Sequence, residues 1–157
     1  MRWSLPLVFL TALASCEGDH LPLRFQDREY DGAFEVVRDD PAFFAAFPFG
    51  TSGSEQFRFT RDTDEVLILS SSFLLPLFVS EDGAEEVVLE AVLEGRNFTF
   101  ETWYEGPAED GQTLRVELQG KGRFSLSGEA VSLELGIDMS GYHEGRIELV
   151  YEGDLVR

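Results

Sequence analysis

From Glu55 onward the chain alternates apolar and polar positions with a period of two. Phe57 and Phe59 alternate with Gln56, Arg58 and Thr60. Val66–Leu69 follows the polar turn at 61–64. After Ser70-Ser71-Ser72 comes Phe73–Val79, with Pro76 inside. Proline lacks the ladder N–H, so this segment is expected at an edge or a bulge. Glu81-Asp82-Gly83 reads as a turn and Glu94-Gly95 as a tight one, on either side of Val87, Leu89, Ala91 and Leu93. Phe98, Phe100, Thr102 and Tyr104 alternate next, then Leu114, Val116 and Leu118. Gly120-Lys121-Gly122 is expected to turn the chain, and Ser127-Gly128 to turn it again. Val131, Leu133, Leu135 and Ile137 form the longest run; a loop at 140–145 precedes Ile147, Leu149 and Tyr151. Strict alternation gives each strand one buried and one wet face. Short turns place sequence neighbours side by side.

The pattern predicts an all-β fold, an antiparallel up-and-down meander of roughly eight to ten strands. Its single apolar face has to be covered, by closure into a barrel or, alternatively, by folding over as a β-sandwich. No long crossover is visible, which favours the barrel. On the wet faces Arg115, Arg123 and Arg146 stand against Glu117, Glu134 and Glu148 and are expected to pair across strands.

Upstream the pattern differs. Ala33–Val37 fits a strand. Asp40 is a good N-cap and Pro41 a good first helical residue. Phe43, Phe44 and Phe47 then share a helical face, and Pro48 and Gly50 stop it. One short helix is predicted near 40–47, its Phe face plugging an end of the barrel. Residues 17–32 are polar and read as a spacer, with one short strand at Leu21–Phe25 at most.

The first sixteen residues are of another kind. Arg2 precedes an apolar run over residues 3–14. That run is too short to span a bilayer, which takes ~20 apolar residues, and fits an export signal. It ends Leu13-Ala14-Ser15-Cys16, and Cys16 is the only cysteine. These residues resemble the lipobox of bacterial lipoproteins. The resemblance implies diacylglyceryl transfer to the Cys16 sulfur and cleavage between Ser15 and Cys16. Ordinary cleavage after Ala12-Leu13-Ala14 is the rival; it would leave a free thiol with no evident use. Glu17, in place of the Asp that retains enteric lipoproteins at the inner membrane, implies an outer-membrane anchor facing the periplasm. The organisation expected is a signal peptide (1–15), a tether (16–32) and a single β domain (33–157). With one cysteine there is no intramolecular disulfide, so the core has to hold the fold unaided.

Charge narrows the partners. Net charge is −18, with 30 acidic residues against 12 basic ones, and Lys121 is the sole lysine. Such a surface repels nucleic acid, whose binding comes largely from Lys and Arg on phosphates.

Catalysis is not expected. Of the two histidines, His20 falls in the tether and His143 in the 140–145 loop, and no Gly-x-Ser-x-Gly elbow occurs. Asp62, Asp64 and Glu65 offer oxygen ligands for calcium, but without EF-hand spacing they read as an acidic turn. Neither metal nor cofactor is expected. The remaining signal is phenylalanine, 14 of 157 residues. Phe43, Phe47, Phe57, Phe59, Phe98 and Phe100 are candidates to line a cavity for an apolar ligand; the competing reading is core filling. The pattern resembles lipocalin-like and fatty-acid-binding barrels. The Gly-x-Trp that lipocalins carry near the first strand is missing, however, and Trp103 lies mid-chain. The expected function is therefore a non-enzymatic envelope lipoprotein that binds a small apolar ligand or a partner protein. The alternative is a structural or assembly role with no small ligand.

The lipobox generates the first prediction. Cys16→Ser is expected to leave an unprocessed precursor that takes up no fatty-acid label. Metabolic labelling checks it, and unchanged labelling would refute lipidation.

Overall fold

The structure, a computed structural model, describes residues 21–22, 25–38, 40–42, 50–75, 86–107 and 111–156. Eight strands form a closed antiparallel barrel in sequence order. They are β1 (Asp27–Arg38), β2 (Ser52–Arg61), β3 (Val66–Ser71), β4 (Val87–Glu94), β5 (Asn97–Pro107), β6 (Thr113–Phe124), β7 (Ala130–Gly141) and β8 (Gly145–Leu155). β8 returns to pair with β1, from Tyr30 opposite Leu155 to Val36 opposite Leu149; the register then shifts across a β-bulge between Val36 and Arg38. The barrel is the predicted closure. Pairing is longest along β5–β6 and β6–β7 and shortest along β4–β5, where three pairs, ending at Val92 opposite Thr99, join the strands.

The two ends differ. At one end the connections are tight: 62–65, Gly95-Arg96 and 125–129. Gly95 (φ +65°) and Gly128 (φ +69°) take the left-handed conformation these turns require. The other end carries the long connections 39–51 and 72–86 together with 108–112 and 142–144. At the start of 39–51 the Asp40 carboxylate accepts the Ala42 N–H at 2.9 Å, the N-cap contact expected there, with Pro41 and Ala42 helical. The rest of the predicted helix, including Phe43 and Phe47, lies outside the described residues.

Two expectations about element boundaries are corrected. The first strand starts at Asp27, inside the stretch read as tether. Leu21 and Phe25 are buried, and the described residues of that stretch, 21–22 and 25, are not in a strand. Leu21 N–H donates to the Gly95 carbonyl at 3.3 Å, and the Phe25 ring meets Phe124 edge-on at 5.0 Å, so this polar-looking segment closes the tight end. The second correction concerns β6, which runs unbroken through Gly120-Lys121-Gly122. Parity explains why. Leu114, Val116, Leu118, Gly120, Gly122 and Phe124 are all even-numbered and share the inner face; a turn would have broken that phase. The expected strand at Phe73–Val79 is a turn at 73–75 and lies beyond the described residues after that.

The glycines on the inner face make room for rings. Phe98 stands opposite Gly122 and Phe100 opposite Gly120 in the β5–β6 register. A methyl group on Gly122 would come within 2.2 Å of the Phe98 ring, and one on Gly120 within 2.3 Å of the Phe100 ring. Phe34 covers Gly53 on β2 in the same way. A ring over a cross-strand glycine restores the apolar contact that the glycine lacks, while the bare backbone permits sharp bending. Toward the tight end the interior is aromatic: Phe57, Phe59, Phe98, Phe124, Tyr30 and Tyr151. Toward the other, Val116, Leu118, Ile137, Met139, Ile147 and Leu149 share the interior with the Phe34 and Phe73 rings, which meet at 4.8 Å.

The register has a direct test in chemical denaturation. Leu133 is 2 % exposed, whereas Glu134 points to water and pairs with Lys121 at 2.8 Å. Leu133→Ala is expected to cost ~2–5 kcal/mol and Glu134→Gln no more than ~0.5 kcal/mol. Gly122→Ala drives a methyl into Phe98 and the Ser132 carbonyl and is expected to cost ~1–3 kcal/mol. A strand slipped by one residue would invert the first two.

Candidate functional site

Four of the six phenylalanines singled out from the sequence, Phe57, Phe59, Phe98 and Phe100, face the inside of the barrel; Phe43 and Phe47 lie outside the described residues. The Phe57 and Phe59 rings lie 6.4 Å apart, Phe59 and Phe98 5.2 Å, and Phe59 and Phe124 5.2 Å. Phe57 also meets Tyr151 at 4.7 Å. Phe57, Phe59 and Phe98 are each at most 1 % exposed, and Phe100 lies over Gly120. Ring centroids at 4.5–7 Å are ordinary contact geometry for packed aromatic pairs. Among the described residues these rings fill space against one another.

Two tyrosines tie the interior to the wall. The Tyr30 hydroxyl donates to the Gly128 carbonyl at 2.6 Å, pinning the β6–β7 turn. The Tyr151 hydroxyl lies 3.0 Å from the Tyr30 carbonyl and 3.2 Å from the Glu55 carbonyl, where the paired Gly32 and Gly153 leave room. Burial pushes the Tyr30 phenol up to about 12, against the opposing pull of Arg28. Burial pushes Tyr151 up too, reinforced by Asp31, Glu55 and Asp154. The Glu55 carboxyl is also raised by burial. These groups are structural: each phenol serves a backbone carbonyl.

The remaining candidates stay apart from this core. His143 stacks edge-on against Tyr142 at 4.4 Å in the β7–β8 turn. In the acidic turn Asp64 accepts from Arg61 at 2.6 Å, and the Thr63 hydroxyl caps the Glu65 and Val66 N–H groups. These contacts make an ordinary hairpin turn. Among the described residues no group of three His, Cys, Asp or Glu side chains is placed to hold a metal. Cys16 and Ser15 lie outside the described residues.

The outer wall carries what the sequence reading passed over. Trp103 is 58 % exposed, and the Arg115 guanidinium stacks over its ring at 4.6 Å. Arg115 in turn binds Glu117 at 2.7 Å. Val37, Val88 and Val92 are also more than half exposed. A groove of about 750 Å³ crosses the outside of the barrel at mid-strand. It follows the hydrogen-bonding rows Glu101–Gln119–Gly136–Glu148 and Thr99–Lys121–Glu134–Val150, with Val92 on β4 at one end and Val37 on β1 at the other. Twisted strands make a barrel narrowest at mid-height, so its outer wall is saddle-shaped there. Gly136 deepens the saddle by leaving a gap in the outer side chains, over which Gln119 leans. Val37 is the extra residue of the β1 bulge, a device that redirects side chains. The signal was available in parity. Even positions of β5 face inward, so Trp103 had to face out, and Val88 and Val92 occupy the phase of β4 reserved for polar residues.

The tyrosine environment fixes an alkaline limit. Tyr30 titrates at about 12 in the fold against an ordinary 10.0. The folded state therefore holds its proton where the unfolded chain releases it. The resulting stability is full below pH ~10 and is lost as pH rises through ~12. Phenolate absorbance is expected to show a late step that coincides with unfolding and disappears in Tyr30→Phe. Titration of Tyr30 at the ordinary value without unfolding would refute its burial. Compared with protein-family models and with curated proteins, the chain matches none.

Proposed function

We propose that this chain is an exported, lipid-anchored barrel that works as a docking module, meeting a partner protein through its outer wall and carrying no ligand inside. The observation that carries this reading is an inversion of where large side chains are free. Inside, three of the six rings named as candidate ligand contacts, Phe57, Phe59 and Phe98, pack against one another at 5.2–6.4 Å. Outside, Trp103, Val37, Val88 and Val92 stand in solvent. Trp and Arg dominate protein-interface energetics, and the Trp103–Arg115 stack presents both together. The lipobox at Cys16 supports membrane attachment in the bacterial envelope, with the outer membrane facing the periplasm as the expected site.

An apolar fluorescent probe and a photo-crosslinking residue test this reading together. The mature chain is expected to take up no probe in a saturable manner. A crosslinker replacing Trp103 is expected to give a discrete adduct in the intact envelope, and one at Ser125 on the tight end is not. Saturable one-site uptake of the probe would restore the internal-ligand reading. Absence of any adduct from position 103 would leave the structural alternative.

A further inference from the structure

We infer that the mid-barrel groove receives an extended segment of the partner, one that carries a basic residue flanked by apolar side chains. This rests on the docking reading above and specifies its chemistry.

The charges of the groove decide the sign. Both its cations are already matched: Lys121 by Glu134 at 2.8 Å, and Arg146 by Asp138 at 3.0 Å and Glu148 at 3.1 Å. Glu90 on β4 and Glu101 on β5 also line it, and neither forms an ion pair among the described residues. The uncompensated charge is therefore negative and sits at the β4–β5 end. A guanidinium or ammonium group fits there. A carboxylate would meet two of its own kind on a chain whose net charge is −18.

The apolar contacts set the shape. Val92 and Val37 mark the two ends, and both are more than half exposed. Between them Gly136 carries no side chain, and the Gln119 side chain that leans over it is the flexible group an occupant would displace. The groove touches six strands, from β4 round to β1. At ~4.8 Å per strand that path is ~24 Å or more, which an extended chain covers with seven or more residues. Trp103 is the next outward residue after Glu101 on β5, so an occupant of the acidic end lies beside its ring.

Trp103 also supplies the readout. The chain has two tryptophans, and Trp3 belongs to the signal segment, so the mature protein reports through Trp103 alone. The probe is a synthetic ten-residue peptide of alternating Val and Arg, compared with its Val–Glu counterpart at several salt concentrations. The Val–Arg peptide is expected to shift Trp103 fluorescence saturably, and the Val–Glu peptide to leave it unchanged. Glu90→Gln with Glu101→Gln is expected to weaken binding roughly five- to tenfold and to flatten its salt dependence. Gly136→Leu, which fills the floor where only the Gln119 side chain has to yield, is expected to abolish binding. Glu129→Gln with Asp154→Asn, at the tight end, is expected to leave it unchanged. Equal weakening by that control pair would mean diffuse attraction to an acidic protein and would overturn the inference. Full binding to the Gly136→Leu variant, or no binding of the Val–Arg peptide to the parent chain, would also overturn it. In each of these cases the docking reading survives if the crosslink from position 103 persists; if the crosslink fails as well, both fall.

Discussion

Everything in this barrel depends on rings packed over glycines. Eight strands enclose little more than the volume their own inward side chains occupy. This chain sends in Phe34, Phe57, Phe59, Phe98, Phe100, Tyr30 and Tyr151, more bulk than uniform side chains opposite would admit. Gly53, Gly120 and Gly122 lie directly across from Phe34, Phe100 and Phe98 in the strand register. Large residues on one strand are thus matched by missing side chains on the next. The same glycines free the backbone to bend, so the device that accommodates the rings also closes the barrel. With no disulfide to assist, that fit and the apolar surface it buries hold the domain together.

Much of this was legible in the sequence, and what was missed has definite physical causes. The alternation of Val131, Leu133, Leu135 and Ile137 gave β7 its face because a period of two admits one register. The glycines at 120 and 122 were misread because glycine both makes turns and marks places where a side chain must be absent. Only the phase of the residues on either side distinguishes the two, and from Leu114 to Phe124 the phase never breaks. The start of β1 was hidden for another reason. Asp27 to Gly32 holds Tyr30 as its one apolar inward residue, because Arg28 takes the position before it and Gly32, facing Gly153, the one after, so too few apolar positions remained to show a period. Leu21 and Phe25 cap the barrel from a segment whose polar composition resembles a linker.

The candidate phenylalanines teach a related lesson. Composition identified them as a group, and four of the six do converge: Phe57, Phe59, Phe98 and Phe100. Convergence does not distinguish a lined cavity from a filled core; ring-to-ring distance does, because dispersion attraction decays within about an ångström of contact. The outward residues were legible by the same parity that placed the rings. An apolar side chain in the wet phase of a strand is the informative exception, because the polar alternative costs the fold nothing there. Val88, Val92 and Trp103 are three such exceptions on two neighbouring strands.

Docking, as proposed, puts recognition on the barrel's wall, and a barrel wall is poor in sites. Its backbone hydrogen bonds are satisfied within the sheet, and its curvature turns neighbouring side chains apart. Two departures from regularity relieve that limit here, the bulge at Val37 and the gap at Gly136, and both fall on the same mid-strand path. Along that path the ion pairs of Lys121 and Arg146 are exposed and contribute little to stability, yet they determine which charges remain over. Neutralising both cations within the wall leaves Glu90 and Glu101 as the uncompensated charge. The selectivity for a basic segment that we infer would therefore arise from how the charges are paired, and the net charge of the whole chain would add only the longer-range attraction that brings such a segment near.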